Sequence, residues 1–191
     1  MDEVTAISFV VLAAALALPV ITGALEERHQ LLQWIRYVIF TVYVFANLYE
    51  TLLFRVVTPE PRYELGLLWS YREALSIHRD GGSGIRLLIT DYGLLKEIIL
   101  NILLYIPLGY LLPFTWPALA RGRGDTSPES GLSWLVAISH RIVPIGLICS
   151  VLTELSQLLF HLGLFEFDDI INNTLGCFLG VGLYWLLMRR P

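Results

Sequence analysis

Apolar residues fill five long runs, and the polar side chains inside those runs recur at helical spacing. The run over 4–24 is nearly uncharged and long enough to cross the hydrocarbon core. A signal peptide has a similar outline but a basic start, whereas this chain opens Met1, Asp2, Glu3. The pattern therefore predicts a retained membrane span. Further spans are predicted over 37–57, 94–116, 143–162 and 170–188, and Pro107 with Gly109 predicts a kink in the third. The freed carbonyl at that proline then needs a neighbouring helix or water.

The connections are polar. Thr58 to Pro61 ends the second span, and 67–77 has the mixed polarity of a helix lying at the membrane interface, with Trp69 and Tyr71 as headgroup-level anchors. Asp80 to Gly84 reads as a flexible turn, and Arg62 and Arg79 as solvated loop residues. The segment 119–133 is a flexible linker by composition, centred on R-G-R-G-D-T-S-P-E-S-G. The expected fold class is all-α: a polytopic membrane protein, one domain over 1–191, with five transmembrane helices. An interfacial segment lies in the 58–93 loop between helices two and three.

Each span but the first carries a polar stripe. Tyr43, Asn47 and Glu50 fall on one face of the second, and Glu97, Asn101 and Tyr105 on one face of the third. Ser150, Glu154, Gln157 and His161 do so on the fourth. Asp169, Asn172, Asn173, Gly176 and Gly180 do so on the fifth. A charge at mid-membrane costs about 2.5–3.5 kcal/mol, so these residues require partners or a purpose. Helix capping by Asp168 or Asp169, and glue between helices, is the plainest purpose.

Counting helices places the stripes in one layer. The second and fourth spans end, and the third and fifth begin, on the same side of the membrane. Glu50 and Glu154 then sit about 10 Å below that surface, at 1.5 Å per residue. The result is a polar cup open to one face, with the loop carrying Arg72 positioned to close over it. An outside N-terminus leaves Arg28, Arg36, Arg121, Arg123, Arg141, Arg189 and Arg190 in the cytoplasm. It also leaves a fourth loop without Lys or Arg on the outer face. That orientation turns the cup outward.

Composition agrees with this class and narrows the chemistry. The 191 residues are 55% hydrophobic with a net charge of −4, and no basic block invites nucleic acid. Cys149 and Cys177 lie in apolar helices, His29, His78, His140 and His161 lack ligand spacing, and no triad, P-loop or dinucleotide fingerprint occurs. The residues give no reason to expect a cofactor or metal, although Glu154, Asp168 and Asp169 could supply oxygen ligands to a divalent ion. Without a cation or Arg nearby, those three carboxylates are expected to share a proton.

Three ordered motifs resemble those of the VanZ-like family: N-I-L-L-Y-I-P-L-G-Y-L-L-P (101–113), T-E-L-S-Q (153–157) and E-F-D-D-I-I-N-N-T-L-G-C-F-L-G (166–180). W-S-Y-R-E-A-L (69–75) is similar to a segment that precedes the Asn-containing helix in many members. Many relatives carry an Arg just before the acidic motif; here that stretch is Leu162-Gly163-Leu164-Phe165, so Arg72 or Arg55 must substitute, or a carboxyl must stay protonated. The resemblance implies a multi-pass protein of the bacterial cytoplasmic membrane, linked in some members to resistance to the lipoglycopeptide teicoplanin. It implies no settled chemistry.

The ligand-binding set expected from these readings is Glu50, Arg72, Glu97, Asn101, Glu154, Gln157, Asp168, Asp169 and Asn173. The leading function is binding or modulating a membrane lipid, a lipid-linked peptidoglycan precursor or a lipoglycopeptide. Clustered acids and amides favour an amine or hydroxyl-rich headgroup, and Arg55 or Arg72 adds phosphate donors. An enzyme with Glu154 as general base and a proton-coupled transporter are the alternatives. The sequence assigns no catalytic residue and no oligomeric state. Cysteines introduced at Gly82 and Gly124 test the orientation: reagent applied to intact cells should label position 82 and spare 124. The reverse pattern would turn the cup toward the cytoplasm.

Overall fold

The computed structural model describes residues 13–14, 17–24, 27–73, 93–120 and 132–188. Helix α1 spans Leu18–Ala24, and α2 spans His29–Leu48 and runs on as a π-helical turn, Tyr49–Leu53. Strand β1 (Arg62–Glu64) precedes α3 (Gly93–Thr115), and a 3₁₀ turn, Pro117–Leu119, follows it. Then come α4 (Leu132–Leu159), β2 (Leu164–Glu166) and α5 (Phe167–Met188). His29–Leu53, α3, α4 and α5 are the 4 described stretches long and apolar enough to cross a membrane, which makes this a multi-pass helical protein. The expected span over 4–24 falls mostly outside the described residues, which include only its end, α1.

Two helices start earlier than hydropathy predicts, α2 at His29 rather than 37 and α4 at Leu132 rather than 143. Apolar runs stop at charges, but backbone hydrogen bonding does not. Arg36 reaches Thr22 Oγ1 at 3.4 Å, and Arg141 reaches the carbonyls of Ala118 and Leu119 at 3.5 Å, so both long side chains serve the end of the bundle without ending a helix. Gln33 donates to Thr115 O at 3.0 Å at the same end. α3 continues through Pro107 and Pro113 as one helix.

The fold is not purely helical. β1 and β2 pair in parallel, Arg62 opposite Leu164 and Glu64 opposite Glu166. Before β2, α4 closes in a Schellman turn: Leu162 N–H donates to Gln157 O at 2.8 Å and His161 N–H to Leu158 O at 3.4 Å. His161 occupies the left-handed position of that turn, with φ 56°, so it leaves the stripe it was expected to extend. Its carbonyl accepts from Thr58 N–H at 2.8 Å, which holds the chain leaving α2 against the α4–α5 connection.

α3 and α5 form the most extensive helix contact. A Cβ at Gly176 would lie 2.1 Å from Ile102 O, and one at Gly180 the same distance from Ile106 O. From the other side, a Cβ at Gly109 would lie 1.9 Å from Cys177 O. Only glycine permits backbones this close, and close approach is what holds helices together where lipid offers no hydrophobic drive. α4 joins through Gly146, where an added Cβ would sit 2.6 Å from Cys177 Sγ.

The described part of the segment expected at the interface docks on the start of α5. Asp168, with no exposed surface, accepts from Leu68 N–H at 2.6 Å, Ser70 N–H at 2.9 Å and Ser70 Oγ at 2.5 Å. It thereby caps the helical turn over 69–73 from a distant element, using the chemistry of an N-cap. Tyr71 donates its hydroxyl to Asn172 Oδ1. Leu68 takes φ 56° to present its N–H to the carboxylate. Residues 74–77 of the expected interfacial helix lie outside the described residues.

Two stability predictions follow from these contacts. Gly176→Leu should unfold in detergent at markedly lower temperature than wild type, a loss of at least the 1–3 kcal/mol typical of overpacking. Gly182→Leu, with nothing within 4 Å of its added Cβ, should stay within about 0.5 kcal/mol. Equal losses would remove the close-approach account. Asp168→Ala strands two amides and a hydroxyl, at about 1–3 kcal/mol for each group left buried. Hydrogen exchange at the Leu68 and Ser70 amides should accelerate accordingly; unchanged protection would show that Asp168 does not hold this segment.

Candidate functional site

A cavity of about 480 Å³ opens where α2 and α4 end and α3 and α5 begin. Its size falls within the 300–1,000 Å³ usual for small-molecule sites. Glu50 and Thr51 come from the π-helical turn, Glu97 and Asn101 from the first turns of α3, and Thr153, Glu154 and Gln157 from the last turns of α4. Asp169 and Asn173 come from the start of α5. The β pair forms a further wall. Alternation along a strand turns Arg62, Leu164 and Glu166 to the cavity and leaves Tyr63 and Phe165 on the other face.

The structure thus brings together Glu50, Glu97, Asn101, Glu154, Gln157, Asp169 and Asn173. It does not bring in Arg72 or Asp168. Arg72 is exposed and turns back on its own segment, donating to Leu67 O at 2.8 Å and Leu68 O at 3.4 Å. Asp168 is spent on Leu68 and Ser70, because neighbouring positions on α5 point about 100° apart and only Asp169 faces the cavity. For the same reason, Glu154, Asp168 and Asp169 do not make one set of oxygen ligands. Among the described residues, no three of His, Cys, Asp and Glu are grouped to hold a metal ion.

Sequence reasoning left Arg62 in solvent and passed over Glu166, Thr51 and Thr153, all of which line the cavity. Thr153 and Glu166 lay inside the recognisable motifs, one residue before Glu154 and two before Asp168. Arg62 carried only a three-residue polar–apolar–polar alternation, too short to reveal a strand. Arg55 also lines the cavity, and a Cβ at Gly163 would lie 3.5 Å from its Nη1. A guanidinium therefore stands against the 162–165 stretch, and it comes from Arg55 rather than Arg72.

Local hydrogen bonds fix most of the floor. Asn101 donates to Asp169 Oδ1 at 2.5 Å, tying α3 to α5 at the cavity. Gln157 donates to Thr51 O at 3.0 Å, satisfying a carbonyl at the C-terminal end of the α2 stretch. Glu154, only 2% exposed, accepts from Glu166 N–H at 3.2 Å. Asn173 donates to Ser150 Oγ at 3.0 Å, while its buried Oδ1 has no hydrogen-bond partner among the described residues.

Glu166 lies outside the spanning helices. Burial, reinforced by the charges of Asp169, Glu97, Asp168 and Glu64, pushes its carboxyl up to about 7. Near neutral pH it therefore both donates and accepts hydrogen bonds. The cavity as a whole offers carboxylates, amides, hydroxyls and two guanidinium groups within a membrane-embedded bundle.

A family model described as VanZ/LLP1 matches residues 9–188, nearly the whole chain. No curated protein and no solved structure matches it. The match takes in all three motifs, and with them every residue that lines the cavity. This polytopic helical chain belongs to the VanZ-like family.

Proposed function

We propose that the cavity binds the polar headgroup of a lipid-linked envelope component or lipoglycopeptide, on the outer face of the cytoplasmic membrane. In this reading the protein binds or modulates its ligand rather than transforming it. The observation that carries the proposal is Asn173, more than nine-tenths buried in the cavity wall, with an acceptor oxygen that no group among the described residues satisfies. A buried amide oxygen without a donor costs about 1–3 kcal/mol, which a donor on a ligand recovers. Amine and hydroxyl groups are such donors, and the carboxylates around Asn173 select them over bare anions. Arg55 and Arg62 at the wall suit a phosphate on the same molecule.

A family linked in some members to teicoplanin resistance is compatible with this chemistry, since teicoplanin joins an amine- and hydroxyl-rich body to a lipid tail. Glu154 as a general base is the second reading, favoured by its near-complete burial at the cavity floor. One experiment separates the two. Glu154→Gln preserves shape and hydrogen bonding, and should reduce co-purified ligand in native mass spectrometry about two- to threefold. Glu154→Leu should reduce it about tenfold or more, near 1.4 kcal/mol, at unchanged protein abundance. Equal abolition of a turnover by both variants would favour the general base, because an amide takes up no proton. Full ligand retention in the leucine variant would remove Glu154 from the site.

A further inference from the structure

A second space, about 230 Å³, lies between α2 and α4 beside the polar cavity and reaches deeper into the bundle, to Tyr43, Leu108 and Cys149. Its wall is mainly apolar: Leu48 and Leu52 from the α2 stretch, Leu108 from α3, and Cys149 and Leu152 from α4. The two spaces share Thr153, and elsewhere they divide consecutive residues, Thr51 and Leu52, Leu104 and Tyr105. At the junction the Tyr105 hydroxyl lies 3.4 Å from Thr153 Oγ1. The α2 stripe is split in the same way, with Glu50 in the cavity and Asn47 and Tyr43 in the groove.

We propose that cavity and groove form one site for an aminophospholipid, with the headgroup in the cavity and one acyl chain in the groove. This deepens the headgroup reading and rests on it. The order of the two spaces along the bundle carries the inference. On α2 the groove runs from Leu52, level with the cavity, to Tyr43, about 13 Å further toward the bilayer centre. Every charged residue of the two linings belongs to the cavity, and the part of the space deeper than Glu50 has none, the order within one leaflet. Leu48 and Leu152 are 39% and 59% exposed, so the groove opens sideways.

A lipid can enter by that route without leaving the bilayer. The chain passes from lipid to an equally apolar groove, so the groove contributes position rather than hydrophobic affinity. Affinity then comes from the headgroup: carboxylates for the ammonium, Arg55 and Arg62 for the phosphate. An aminophospholipid supplies both charges on one short headgroup, matching the mixture of acids and guanidinium groups.

The test uses the full chain in phosphatidylcholine vesicles doped with phosphatidylethanolamine bearing a diazirine on one acyl chain. Photolabelled peptides should map to Leu48, Leu52 and Leu152. Leu152→Trp fills the groove from an exposed position and should cut labelling about fivefold or more. Leu159→Trp, on the same helix and 73% exposed, should leave it unchanged. Labelling spread evenly over lipid-facing positions such as Leu159 and Phe178, or unaffected by Leu152→Trp, overturns the groove. If Glu154→Leu abolishes labelling while Leu152→Trp does not, the headgroup reading stands without the groove. Groove labelling undiminished by Glu154→Leu removes the headgroup reading and the joint site together. Equal labelling by the phosphatidylglycerol analogue overturns the assignment of an amine.

Discussion

The backbone of α5 lies against that of α3, and the rest of the molecule depends on that contact. Gly176 and Gly180 admit the carbonyls of Ile102 and Ile106, while Gly109 admits that of Cys177. In a bilayer, apolar side chains gain little by leaving lipid for protein, so helix association must come from contact density and polar bonds. The glycine seam supplies the first. It also sets where the starts of these helices stand, which brings Asn101 within hydrogen-bonding reach of Asp169. α4 is placed by the same helix, since Gly146 receives the side chain of Cys177.

With those helices fixed, the polar layer divides into structural and available groups. Asp168 and Asp169 are adjacent and chemically alike, yet one organises the 67–73 segment and the other faces the cavity. Asn172 and Asn173 divide similarly, Asn172 accepting from Tyr71 while Asn173 reaches Ser150 from the cavity wall. A helix turns about 100° per residue, so an acidic or amide pair on α5 serves two environments at once. For Asp168 the cost of burial is offset by bonds to backbone amides, whereas Asn172 is left with an unpartnered Nδ2 among the described residues. On the cavity side the cost is offset only in part by the protein.

The ends of α2 and α4 show how irregular backbone is used at the same level. α2 widens into a π-helical turn, and Thr51 O, at its end, is satisfied by Gln157 from α4. α4 ends in a left-handed residue that is not glycine, and the carbonyl of that residue holds Thr58. These departures from α geometry lead the chain into the parallel β pair, which carries Arg62 and Glu166 to the cavity wall. Non-helical backbone at such a depth is tolerated where it is buried in protein or lines a polar space.

The sequence by itself determined the membrane class, the apolar runs that became the spanning helices, and the level at which the polar stripes converge. Periodicity and hydropathy are local properties, and helix direction in a membrane alternates by necessity, so counting was enough to gather Glu50, Glu97, Glu154 and Asp169. It determined the glycine spacing on α5 as well. What only the tertiary structure decided was partnership. Whether Asp168 or Asp169 faces the cavity depends on where the 67–73 segment docks, and that segment lies about 100 residues away in the chain. Arg62 and Arg55 reach the cavity because Thr58 bonds His161 and a short β pair forms, contacts between distant residues that leave no periodic trace. The starts of α2 and α4 escaped hydropathy for a related reason: Arg36 and Arg141 find oxygen atoms on other segments, so their charges need not mark a loop. Local pattern fixes which groups are buried in the bundle, and long-range packing fixes what each of them holds.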